Sequence, residues 1–91
     1  MAIRSFRHDG LKEIFEDGRS RAIAPNLHKK LARMLDLIDG ADSPADLYGV
    51  HHFHALSANL AGRYSMHVSR NYRLTFAWDD GPAGIDFEDY H

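Results

Sequence analysis

From Arg63 to Trp78 the side chains switch between apolar and polar at every step. Tyr64, Met66 and Val68 alternate with Arg63, Ser65, His67 and Ser69; after "SRN", Tyr72, Leu74, Phe76 and Trp78 alternate with Arg73, Thr75 and Ala77. A strand sends successive side chains to opposite faces, so this period of two predicts two half-buried strands. The gap between them is short enough for a hairpin turn, and Asn71 tolerates the positive φ that such turns use. A sheet with one apolar face must be covered on that face, which limits the architectures open to the rest of the chain.

The first half supplies the cover. In "DGLKEIFEDG", Leu11, Ile14 and Phe15 form one stripe of a short helix, with Asp9 a candidate N-cap and Gly18 a stop. Pro25 suits the first turn of a second helix, on which Leu27, Leu31, Met34, Leu35 and Ile38 share a face before Gly40 ends it. "AIRSFR", "VHHFHAL" and "IDFEDY" read as further strands, and "ADSPADLYG" and "DDGPAG" as loops. This order predicts a single α+β domain over residues 1–91, with two N-terminal helices packed on one face of a curved, mainly antiparallel sheet. Ser65, His67 and Arg73, out of phase with the apolar set, then belong to an exposed polar face.

A chain of 91 residues buries one modest core, so a shallow site is expected rather than an enclosed one. It has no cysteine, no apolar run long enough to span a membrane and no signal-peptide core, and we expect a soluble, cytoplasmic protein. The net charge of −2 argues against a tight grip on free nucleic acid. The charge is uneven, however: residues 1–40 hold eight Lys/Arg against six Asp/Glu, and residues 41–91 hold three against seven. If such a protein works on RNA, something else must deliver the substrate.

Three patterns carry chemistry. "HHFH" would put His52 and His54 on one face of a strand, as in a metal site, but no spacing supplies the remaining ligands, so we expect no metal and no cofactor. The sheet half also gathers His54, His67, Arg63, Arg70, Arg73, Asp89, Tyr90 and His91. RNA cleavage without a metal uses these groups. The 2′-hydroxyl must lose a proton and the 5′-oxygen must gain one, which imidazoles do near neutral pH, while arginine pairs with the growing phosphate charge. The plain alternative is a solvated surface. Finally Lys12, Arg19, Arg21, His28, Lys29, Lys30 and Arg33 form a basic set, with Lys29 and Arg33 four apart on the polar face of the second helix. That set is either a solvated face or a patch for RNA phosphates.

"HALSANLAGRYSMHVSRNYRLTFAW" followed by "GIDFEDYH" resembles the HigB-like toxins of the RelE/ParE superfamily, and "IRSFRHDGLKEIFEDG" is similar to their start. The resemblance covers nearly the whole chain. It implies the toxin half of a bacterial type II toxin–antitoxin pair: a metal-free, ribosome-dependent mRNA endoribonuclease that inhibits translation. Its implied partners are a helix-turn-helix, HigA-like antitoxin, the ribosome and mRNA, with DNA met only through the antitoxin complex and no membrane. By the resemblance His54 is the strand histidine and Asp89, Tyr90 and His91 the terminal triplet, with His54 and His91 handling protons, Asp89 assisting and Tyr90 positioning the nucleotide. Arg73 would stabilise the phosphate, and Asn71 matches the same element as an RNA contact; Arg70 and, from the charge pattern of the second helix, Lys29 and Arg33 are the further candidate RNA contacts. Ser57 and Ser69 stand where many members carry cations, with Arg70 one position beyond Ser69 and His67 a candidate compensating group. The alternatives are a ParE-like gyrase poison and a non-catalytic binding module on the same scaffold.

Overall fold

The computed structural model describes residues 3–90. Helix α1 (Asp9–Asp17) is followed by a 3₁₀ turn (Pro25–Leu27) that leads straight into helix α2 (His28–Gly40). Four strands follow: β1 (His54–Ala55), β2 (Arg63–His67), β3 (Tyr72–Trp78) and β4 (Pro82–Asp89). They form an open sheet in the order β1-β2-β3-β4, each pair antiparallel. The expected α+β arrangement is therefore the one found.

The helices form where the apolar stripes are. Leu11 and Ile14 of α1, and Leu31, Met34, Leu35 and Ile38 of α2, are buried against Met66, Val68, Leu74, Phe76 and Ile85 of the sheet. Each such side chain taken fully from water contributes about 1.5–3 kcal/mol. Phe53 closes one end of this core, stacked on Tyr64 with ring centroids 5.1 Å apart.

Several local expectations are corrected. The N-cap of α1 is His8, whose Nδ1 accepts from the Gly10 backbone N–H at 3.0 Å; Asp9 is the first helical residue. Gly10 leaves room for that ring, since a Cβ there would lie 2.8 Å from His8 Cε1. Gly18 ends α1 with φ of 83° and its N–H on the Ile14 carbonyl, as read from sequence. "AIRSFR" makes no full strand: Phe6 bridges Ile85 in parallel, and the Arg4 and Arg7 N–H groups bond to the Pro82 and Ile85 carbonyls. "VHHFHAL" yields only the two residues of β1, because His51 and His52 both take left-handed backbone, φ 50° and 53°, and form a turn. His52 and His54 are thus not neighbours along one strand face. Asn71 does not use positive φ in the β2–β3 turn, and β4 begins already at Pro82, leaving only Asp79, Asp80 and Gly81 as a loop.

A bulge in β4 opens the sheet to the first segment. Thr75 pairs with Asp86 but Ala77 pairs with Ala83, so β4 holds one extra residue there. Gly84 takes φ of 60° at this point and donates to Ser5 Oγ at 2.8 Å, while the Ile85 N–H turns to the Ser5 carbonyl.

Candidate functional site

The face of the sheet away from the helices is built by register. Ser65 lies opposite Thr75 and opposite His54, Thr75 opposite Asp86, His67 opposite Arg73, and Arg73 opposite Glu88. Directly opposed residues share a face. His54, Ser65, His67, Arg73, Thr75, Asp86 and Glu88 therefore belong to one surface.

Its floor is not open, as expected for Ser65, but sealed. Ser65 and Thr75 are 0% and 1% exposed. Longer side chains lie across them. Arg63 Nη2 donates to Thr75 Oγ1 at 3.2 Å and to the Gly84 carbonyl at 2.9 Å, and the Thr75 hydroxyl donates to Glu88 Oε2. Arg73 pairs with Glu88 Oε1 at 3.6 Å. Burial, and then the neighbouring Arg7, hold the Arg63 guanidinium below its usual range, against the pull of Glu88 and Asp86. Among the described residues, Ser65 Oγ and Arg73 Nε are buried without a hydrogen-bond partner.

At one end of this floor four side chains meet in sequence. The Tyr90 hydroxyl and His67 Nδ1 share a hydrogen bond of 2.6 Å. The Arg73 guanidinium carbon lies 5.7 Å from the Tyr90 ring centre, within cation–π range. His52 meets the His67 ring edge-on at 5.8 Å. Tyr90 is anchored through its backbone N–H on the Asn71 carbonyl and remains 40% exposed. His54 stands exposed on the edge strand, its Nδ1 on the His52 carbonyl at 2.7 Å. A carbonyl only accepts, so Nδ1 carries the proton, and in the neutral ring Nε2 is an unprotonated acceptor.

The sequence-derived candidates separate into groups. The structure gathers Arg73 and Tyr90, sets Asn71 beneath Tyr90 as a backbone acceptor, and puts His54 on the same face along the sheet. Asp89 lies opposite Tyr72, and alternation turns it to the side of Phe87, away from Arg73. The carboxylate that meets Arg73 belongs to Glu88. Arg70 is exposed in the β2–β3 turn, and His91 lies outside the described residues.

Lys29 and Arg33 line a shallow groove of about 580 Å³ with Asn26, Lys30, Leu37 and His51. His51 joins this groove to the sheet end, because its carbonyl accepts from the His67 N–H at 2.7 Å. Lys30 donates through Nζ to the carbonyl of Val68, next to Ser69. A cation from α2 thus stands beside one of the two positions where the sequence has serine. Glu88 and Thr75 were not among the sequence-derived candidates. Their signal was strand parity, since Glu88 and Tyr90 fall two apart in β4, but it could be used only once the register with Arg73 was known.

These features define a small α+β domain with a polar sheet face beside a cationic groove. Residues 4–91 match the family model described as the RelE-like toxin of the type II toxin–antitoxin system HigB. The chain belongs to the HigB-like toxins of the RelE/ParE superfamily. It is similar to a protein named Endoribonuclease HigB from Proteus vulgaris, 34% identical over 91 residues that cover 98% of this chain and 99% of the relative. It is also similar to Toxin HigB-1 from Vibrio cholerae, 35% identical over 89 residues and 94% of each chain. A third relative, an uncharacterised protein from Haemophilus influenzae, is 30% identical over 89 residues, 94% of this chain and 88% of its own length.

Proposed function

We propose that the protein is a ribosome-dependent endoribonuclease that cuts messenger RNA and so stops translation. The observation that carries this reading is the meeting of Arg73, Tyr90 and His67 on an exposed sheet face that also carries His54 and is continuous, through His51, with the cationic groove of α2. The name of the Proteus vulgaris relative supports it.

In this reading His54 Nε2 takes the proton of the 2′-hydroxyl, whose oxygen attacks the adjacent phosphorus. His91 returns a proton to the departing 5′-oxygen. Arg73, held by Glu88, binds the phosphate oxygens through its guanidinium as their charge grows. Tyr90 positions the nucleotide. No step needs a bound ion. Lys29, Lys30 and Arg33 hold the RNA backbone beyond the cut, with Asn71 and Arg70 at the turn. The net charge of −2 fits an enzyme that receives its substrate aligned by the ribosome. A helix-turn-helix antitoxin completes the module and works in the cytoplasm with it.

The test is cleavage of one message presented free and on programmed ribosomes by the purified protein. Breaks only in the ribosome-bound message, lost with His54→Ala, are expected. Equal cutting of free RNA would refute ribosome dependence. Full toxicity of His54→Ala and His91→Gln in cells would favour a gyrase-type or other binding target.

A further inference from the structure

Tyr90 is exposed at the end of β4, where a phenol on two rotatable bonds would ordinarily sample several positions. Two contacts restrict it here. Arg73 lies over the ring, and the hydroxyl is hydrogen-bonded to His67 Nδ1 at 2.6 Å. His67 is itself held at three points: its N–H on the His51 carbonyl, its ring against the edge of His52, and its backbone opposite Arg73. The 51–52 turn that supplies two of these contacts takes left-handed backbone at both residues, an arrangement that costs energy and that the surrounding contacts maintain.

From this geometry we infer that His67 is a positioning residue for the cleavage reaction, holding the Tyr90 ring and hydroxyl in one orientation towards the nucleotide. The inference rests on the nuclease reading above. The bond to His67 fixes the hydroxyl's orientation, so the phenol faces the nucleotide with one set polarity rather than a rotating one. A freely turning hydroxyl would lose this preference, and with it the orientation on which the in-line attack depends. His67 needs no contact with RNA for this role.

The experiment measures kcat and KM for ribosome-bound message with His67→Phe, His67→Asn, Tyr90→Phe and the double variant His67→Phe/Tyr90→Phe. His67→Phe keeps a ring against His52 and Tyr90 but cannot hydrogen-bond to the phenol. It should lower kcat about ten- to a hundredfold and leave KM within about twofold. His67→Asn places an amide, able to accept or to donate, near the former Nδ1 and should recover most of that loss. The double variant should be no slower than the worse single, since both changes remove the same hydrogen bond. Thermal melting of each variant separates this from loss of fold. The assignment is overturned if His67→Phe cuts at the unaltered rate, if His67→Asn is as slow as His67→Phe, or if the two losses multiply. If the unaltered protein does not cut ribosome-bound message, the nuclease reading fails and takes this one with it.

Discussion

At the scale of single residues the candidate chemistry depends on which nitrogen of each imidazole is free. His54 presents Nε2 and should tolerate no replacement that lacks a base: His54→Ala is expected to cut ribosome-bound message roughly 10²- to 10⁴-fold more slowly, read from single-turnover kinetics. His51 offers a separate test, of stability rather than rate. Burial, then Lys30, His67 and His52, lowers its proton affinity below the ordinary value of 6.5. As pH falls through that value the unfolded chain takes up the proton first, so the folded state loses stability towards acid and is unaffected above it. Urea unfolding between about pH 7 and about pH 5 should show this decline, and His51→Gln should flatten it; an unchanged slope would show that His51 does not contribute. The sequence revealed His54, Arg73 and Tyr90 through their types and the family likeness. It could not reveal that Glu88 rather than Asp89 reaches Arg73. One step along a strand reverses the face, and only the register decides which acid is inside.

At the scale of elements, the helices and the β2–β3 hairpin were legible because each shows its own period and ends on its own signal. The short pieces were not. Neither the two-residue β1 nor the bridge at Phe6 has a periodic pattern; both exist because longer strands offer them a partner. Two of these local devices predict stability changes. Ala58 holds φ of 56° on an exposed turn, where a Cβ is unfavourable, so Ala58→Gly should raise stability by up to about 1 kcal/mol. At Gly10 the reverse holds. A methyl group there would push the His8 ring from its cap position, and Gly10→Ala should cost about 1 kcal/mol or more despite the better helix propensity of alanine. Chemical denaturation of the two variants checks both signs.

At the scale of the whole molecule the charge is small but sorted. The acidic second half carries the candidate chemistry, and the basic groove of α2 adjoins it through His51. Exchanging Lys29 and Arg33 together for glutamate should therefore raise KM for ribosome-bound message several-fold or more and leave kcat nearly unchanged. The dependence of kcat/KM on salt should become shallower, because fewer phosphate contacts release fewer counterions. A fall in kcat with KM intact would place those residues in the chemistry instead.

Ser5 and Gly84 are 79 positions apart and share a hydrogen bond, and Phe6 bridges Ile85. β4 is thus an inner member of the assembly, gripped by β3 on one side and by the opening segment on the other. A polypeptide still being elongated cannot complete that grip until translation has passed residue 85. Until then Tyr90 has no bed beside Asn71 and Arg73 lacks Glu88. The opening segment, though far from the candidate site, thus decides when β4 is seated and when Tyr90 and Glu88 reach Asn71 and Arg73.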